Sequence, residues 1–203
     1  AFWGAPLENT QHRQNSLETA LDMQAKTREL IEEFKKLGWP AIRIGIGLNT
    51  GVMNVGDMGS EYRRAYTVLG DSVNAGSRLE ATTRYYGVDI VVGENTVVDR
   101  DKYLYRLLDR LKVKGKNQAT EVFELVCRMT EASDELKAEI VAHEQAMQHY
   151  FAQEWEVAKQ IFSDLAEQNP DHKLYQLYIA RINHFELNSP ASDWDGSFYK
   201  HEK

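Results

Sequence analysis

Asn74 and Arg78 are the residues of this chain best equipped to do chemistry together. They stand four residues apart, so on a helix both side chains leave the same face about one turn from each other. An asparagine amide can hold a sugar hydroxyl, and a guanidinium offers a planar fork of donors to a phosphate. Taken alone, the spacing means little and more often describes a solvated helix face. The residues around it read as what must position the pair: a short β-prone run over Tyr66 to Leu69, a Gly70-Asp71 turn, and a helix over Ser72 to Tyr86 stopped by Gly87. Asp71 or Ser72 can cap that helix, and Leu79 lies where it can face a sheet.

Upstream, Asn15 to Leu37 reads as a helix. Asn15 and Glu18 have capping-box spacing, Leu17, Ala20, Leu21, Gln24, Ile31 and Phe34 share a face, and Gly38 and Pro40 end it. Ile42 to Leu48 alternates with period two and reads as a strand, paired as a hairpin with Val52 to Met58 through Asn49-Thr50-Gly51. Gly45 and Gly47 share one face of that strand, which implies a close approach, either by a ligand or partner chain or by a packed helix. Ser60 to Arg64 reads as a polar loop. Further on, Val88 to Val92 reads as a strand and Glu94 to Arg100 as a short helix. Tyr103 to Val113 and Thr120 to Val126 read as two strands across a Lys114-Gly115-Lys116-Asn117 turn. The order implies an α+β sandwich. From Glu131 the pattern is helical. Ala158, Phe162 and Pro170 fall at offsets of four and eight, as in a tetratricopeptide helix. Ala142, Ala146 and Tyr150 supply the facing side, and Leu174, Leu177, Tyr178 and Ile182 a third helix.

With 203 residues and 42% hydrophobic content, the chain can bury a core of one or two domains. A net charge of −7 without a Lys/Arg field argues against a nucleic-acid groove. The single cysteine, Cys127, excludes an internal disulfide framework. No apolar run has the length of a membrane span. The chain opens at Ala1 directly into an apolar segment, which reads as part of something longer, these residues being its soluble portion.

The order of Arg43 to Gly51, Val55 to Ser60 and Tyr66 to Glu80, flanked by Ala1 to Pro6 and Val113 to Lys116, resembles the catalytic domain of class III adenylate and guanylate cyclases. The resemblance covers most of residues 1–127. It implies a ferredoxin-like class III nucleotidyl cyclase sandwich over residues 1–128, without its first strands, followed by an α-helical, tetratricopeptide-like extension over 129–203. It further implies conversion of ATP to 3′,5′-cyclic AMP and pyrophosphate by in-line attack of the ribose 3′-oxygen, at sites shared between the subunits of a head-to-tail homodimer. Carried onto this sequence, Asn74 would orient the ribose and Arg78 would stabilise charge on the α-phosphoryl group. Thr67 would read the base, and Lys114 would bind the terminal phosphates. Arg63 and Arg64 would lie near the dimer contact. The family's two Mg²⁺ or Mn²⁺ ions would be held by aspartates upstream of Ala1, as would its base-reading lysine, so this chain alone is expected to be inactive and to contribute no metal ligand. The Trp194-Asp195-Gly196 tail resembles that of bacterial cyclases with a CHASE-type sensor and membrane spans, which implies a membrane-anchored parent with this portion on the cytoplasmic side and a possible protein partner on the helices. Guanylate cyclase, or a non-catalytic regulatory module with a cyclase fold, are the alternatives.

Overall fold

The computed structural model describes residues 1–60, 63–112, 119–191 and 194–197. They divide into two units, Ala1–Arg84 with Asp89–Asp99, and Tyr85–Val88 with the residues from Arg100 onward.

In the first unit, helix α1 spans His12–Lys36. It starts three residues before the expected capping box. Asn9 organises the start instead, accepting from the Gln11 N–H through its side chain (2.9 Å) and from the His12 N–H through its carbonyl (3.2 Å). Asn15 is therefore interior, and its carbonyl accepts from the Thr19 hydroxyl. Leu17, Ala20, Leu21 and Gln24 are buried as expected, while Ile31 and Phe34 are half-buried. Gly38, at φ +70°, takes the left-handed conformation that ends the helix.

Strand β1 is only Ile46–Leu48, and it pairs in parallel with β4, Ile90–Gly93. The hairpin expected between Ile42–Leu48 and Val52–Met58 does not form. The carbonyl of Ile44 is taken by the Gln24 side chain (2.9 Å), and the Ile46 N–H goes to the carbonyl of Asp89 (2.9 Å), so the backbone groups a hairpin would need are already engaged. The antiparallel hairpin lies one element later, between β2, Asn54–Ser60, and β3, Arg63–Leu69, in a register running from Asn54 opposite Leu69 to Ser60 opposite Arg63. Most of what read as the Ser60–Arg64 loop is thus strand. Helix α2 follows as Asp71–Tyr86, its last two residues belonging to the second unit. The expected helix Glu94–Arg100 shrinks to one 3₁₀ turn, Glu94–Thr96. There Thr96 is buried and donates to the Thr50 hydroxyl (2.9 Å), and Asp99 has a positive φ of +47°.

In the second unit, β5, Tyr103–Lys112, and β6, Ala119–Arg128, form an antiparallel pair. The expected Lys114–Asn117 turn lies outside the described residues. The register skips between Leu107 and Asp109, leaving Leu108 with no residue opposite. That bulge turns both Leu108 and Asp109 inward, against strict alternation. Helices α3, Asp134–Phe151, α4, Trp155–Gln168, and α5, Lys173–Leu187, pack consecutively. Ser133 caps α3 by accepting from the Leu136 N–H. The carbonyls around the bulge are met from the helices: His143 Nε2–H donates to Leu107 (2.7 Å), and the Tyr178 hydroxyl donates to Leu108. Ala146, Tyr150, Ala158, Phe162, Leu174, Tyr178 and Ile182 form the core expected from the helical spacing. The tail closes on it. Trp194 packs edge-on to Tyr150 and Phe185, and Gly196, at φ +86°, passes so close to Phe151 that a Cβ would stand 2.8 Å from its ring.

Two histidines, His143 buried and His172 half-buried, give this unit a pH dependence. Burial, and then the Arg106 charge, push His143 down to about 3 and His172 down to about 4. His172 Nε2 accepts from the Arg106 guanidinium, which needs the neutral ring. An unfolded histidine takes its proton near pH ~6.5. Stability contributed by these neutral rings is therefore complete above that pH and falls as pH drops from about 6.5 towards 4 and then 3. His143 alone should contribute a slope of about 1.4 kcal/mol per pH unit through that window. Urea unfolding followed from neutral to mildly acidic pH should show it. His143→Gln, which keeps a donor for Leu107 but does not titrate, should flatten the profile; equal slopes for both proteins would contradict a buried neutral ring at this position.

Candidate functional site

The site is built where β3 runs into α2. Gly70 makes the corner at φ +149°, and its carbonyl accepts from the N–H groups of Val73 (3.1 Å) and Asn74 (3.2 Å). Asp71 therefore stands inside the first turn and does not cap it; its charge there complements the helix dipole. Asn74 and Arg78 are both exposed, one turn apart on α2, and Leu79 is buried on the opposite side at 6% exposure. Neither Asn74 nor Arg78 makes a side-chain hydrogen bond or ion pair among the described residues, and Arg78 is not held by Asp71 or Glu80. The Arg78 guanidinium is exposed on the α2 surface.

Thr67 is half-buried on β3, directly opposite Gly56 of β2. Residues paired this way project to the same face of a hairpin. A Cβ at Gly56 would meet nothing within 4 Å, so the space beside Thr67 is open. Asp57, one residue on, is exposed and pairs across the hairpin with Tyr66. Arg64 is exposed on β3; the side chain of Arg63, and Lys114 as a whole, lie outside the described residues. Asn74, Arg78 and Thr67 thus share one strand–corner–helix segment, and the fourth expected residue is not placed.

Sequence reasoning singled out Gly45 and Gly47 without deciding what approaches them, and missed Gly51 and Asn49, which also seat α2. At Gly47 an added Cβ would lie 2.3 Å from both the Gly76 carbonyl oxygen and the Glu80 backbone nitrogen. At Gly45 it would lie 2.2 Å from the Thr83 hydroxyl, and at Gly51 2.2 Å from the Ser72 hydroxyl. Helix packing, not a ligand or a partner chain, is what these glycines admit. Asn49 adds a polar tie, its Nδ2 donating to the Ser72 carbonyl (2.9 Å) at the start of α2. The Gly-x-Gly pattern on one strand face was the available signal, but it did not say which neighbour approaches.

A family model described as "Adenylate and Guanylate cyclase catalytic domain" matches residues 2–126. The chain belongs to this family. Among its relatives are adenylate cyclase 1 of Rhizobium meliloti (strain 1021), 32% identical over 127 residues, and an adenylate cyclase of Anabaena cylindrica, 38% identical over 94. These matches take in 62% and 44% of this chain, and 19% of each relative, so the chain spans about a fifth of their length. Among solved structures, the adenylyl cyclase CyaB from P. aeruginosa shares the fold at a TM-score of 0.56 and 23% identity, over 65% of this chain and 68% of that one. The guanylyl cyclase Cya2 matches at 0.53 and 26% identity, over 64% and 66%. The α+β fold is that of class III cyclase catalytic domains. Among the described residues no group of three or more His, Cys, Asp or Glu side chains stands where it could hold a metal ion.

The glycine seat makes a contrasting pair of substitutions informative. Gly47→Ala forces the α2 backbone to move and should cost about 1–3 kcal/mol, the range for overpacking. Gly56→Ala enters open space and should stay within about 0.5 kcal/mol. Thermal unfolding of the two variants checks this, and equal losses would refute the seat.

Proposed function

We propose that this chain is the Asn/Arg-bearing part of an adenylate cyclase that converts ATP to 3′,5′-cyclic AMP and pyrophosphate. The observation that carries the reading is Arg78: a guanidinium exposed on a backbone-seated helix, one turn from Asn74, with no partner among the described residues. In this reading the Asn74 amide orients the ribose so that its 3′-oxygen lies in line with the α-phosphorus. Arg78 donates two hydrogen bonds to the oxygens on which charge builds as the 3′-oxygen bond forms and pyrophosphate leaves. Thr67 accepts from, or donates to, the base edge across the space that Gly56 leaves open, and Lys114 meets the terminal phosphates as a point charge.

Divalent ions, Mg²⁺ or Mn²⁺, supply activation of the attacking oxygen in such enzymes when bound. In this reading this chain's own share of the chemistry is that of Thr67, Asn74, Arg78 and Lys114. The reading includes a homodimer whose partner subunit completes the site with metal-binding aspartates. It divides the chain into a cyclase part, residues 1–128, and a tetratricopeptide-like extension, 129–203. It places the parent protein in a bacterial membrane, although no helix among the described residues is long and apolar enough to cross one. Guanylate cyclase is kept as the second reading because relatives of both kinds match the chain; the base contact at Thr67 separates the two.

In the full-length protein, Arg78→Ala should lower kcat by on the order of a hundredfold to a thousandfold, as loss of a donor to developing charge does. KM should change far less and the melting temperature hardly at all. Arg78→Lys should recover little, since one ammonium cannot reproduce the planar fork. An exposed ion pair would be worth only about 0–1 kcal/mol, so near-normal kcat in Arg78→Ala would remove the basis of the reading.

Thr67→Ala should weaken discrimination between ATP and GTP by the equivalent of one hydrogen bond, about 0.5–1.5 kcal/mol, with the phosphate chemistry intact. Competition assays with both nucleotides measure it. Equal collapse on both would make Thr67 structural.

A further inference from the structure

Successive residues of a strand point to opposite faces, and residues directly opposite in an antiparallel pair point the same way. The register of β2 and β3 therefore gives their hairpin two distinct faces. One carries Val55, Asp57 and Gly59 against Val68, Tyr66 and Arg64, and on it the Phe2 ring lies 6.0 Å from the Tyr66 ring. The other carries the pairs Met58–Ala65, Gly56–Thr67 and Asn54–Leu69. Thr67 stands on this second face, beside a notch: Gly56 has no side chain, and a Cβ there would meet nothing within 4 Å. Along β2 the notch is bounded by Met58, half-buried, and by Asn54, exposed. Leu69, opposite Asn54, leaves 57% of its surface exposed.

Asn54 and Thr67 are diagonal neighbours across the hairpin. Cα atoms so related lie about 7–8 Å apart, near enough for two side chains to converge on one small planar group. The Asn54–Leu69 pair is also the last before Gly70, so Asn54 stands on the side of Thr67 nearer the corner that leads to Asn74. Its amide makes no side-chain hydrogen bond among the described residues.

A threonine hydroxyl both donates and accepts. Thr67 can meet an adenine amino group by accepting, and can also turn to meet guanine O6 by donating, which limits how far it alone separates the two bases. An asparagine amide instead carries a donor and an acceptor side by side. That pair matches the N6 amino group and N7 of adenine, whereas guanine presents two acceptors, O6 and N7, along the same edge.

We propose that Asn54 is a specificity-determining residue, whose amide reads the N6–N7 edge of an adenine ring seated in the notch at Gly56. This rests on the reading of Thr67 as the residue that faces the base. Asn54 Nδ2–H donates to N7 and Oδ1 accepts one hydrogen of the amino group. The second amino hydrogen is left for Thr67, and Met58 and Leu69 border the ring with apolar surface.

The test uses the full-length protein and follows cyclic nucleotide production from ATP, GTP and 7-deaza-ATP, in which a C–H replaces N7. The unmodified protein should prefer ATP to GTP. With 7-deaza-ATP it should lose about twofold to tenfold in kcat/KM, the span of one hydrogen bond. Asn54→Ala should lower the ATP-over-GTP ratio of kcat/KM by on the order of tenfold, the scale of a two-bond base contact, and should use ATP and 7-deaza-ATP alike. Its melting temperature should hardly move, because the side chain is exposed. Equal use of ATP and 7-deaza-ATP by the unmodified protein would overturn the inference whether or not the variant folds. So would an Asn54→Ala protein that loses equally on ATP and GTP. Should Thr67→Ala weaken discrimination while Asn54→Ala keeps the original ratio, the inference falls by itself. Should neither substitution change the ratio, the base reading at Thr67 falls and the inference with it.

Discussion

The contact between the Gly47 backbone and helix α2 is the constraint on which the first unit depends. Two backbones meet there with no side chain between them: a Cβ at Gly47 would stand 2.3 Å from two backbone atoms of the helix. Asn74 and Arg78 stand on the helix that this contact lets approach β1. Around it the sequence supplies only small or short groups. Gly45 admits Thr83, Gly51 admits Ser72, Gly93 admits the Asn49 side chain, and Asn49 ties the Ser72 carbonyl. Glycine in a strand sacrifices local stability, and here the sacrifice sets how closely α2 lies on β1.

The second unit is organised by charges taken out of water. Asp109 and Arg181 form one pair. Arg106, 2% exposed, lies between Glu124 (2.8 Å) and Glu139 (2.5 Å) and also donates to His172. Such buried groups bring little net stability when complete, but breaking one leaves an uncompensated charge at a cost of about 3–5 kcal/mol. They therefore act as specifiers. The bulge at Leu108 turns Asp109 inward, and only a chain that brings α5 to that bulge satisfies it. Aromatic packing of Tyr150, Phe162 and Tyr178 supplies the apolar part, with the Phe162 and Tyr178 rings stacked at 4.8 Å.

Much of this was legible in the sequence because it depends on local rules. The apolar faces of α1, α2 and the three C-terminal helices followed from spacing, as did β5 and β6, and Gly38 as the end of α1. The family resemblance was carried by ordered segments, and the match over residues 2–126 agrees with it. What failed depended mostly on partners distant in sequence. The Ile42–Leu48 run alternates like a hairpin strand, yet its backbone groups are taken by Gln24 and Asp89. Asn15 has the form of a cap, but Asn9 engages the start of the helix before it. Arg106, His143 and Arg181 were not read as core residues because charge and polarity normally signal surface, and the carboxylates and carbonyls that pair with them lie tens of residues away. Of the candidate site, Asn74, Arg78 and Thr67 occupy one accessible segment, and only their local setting could be read from neighbouring residues.

If Asn74 and Arg78 serve a site completed by the metal-binding aspartates of another subunit, two inactive full-length subunits should rescue each other. One would carry Asn74→Ala with Arg78→Ala; the other would keep both residues and have its metal aspartates replaced. Each should make essentially no cyclic AMP alone, and the mixture should recover activity as heterodimers form, because one of the two sites in each heterodimer is then whole. Robust activity from the Asn74→Ala, Arg78→Ala subunit by itself, or a mixture that stays inactive although heterodimers are present, would contradict a site shared in this way.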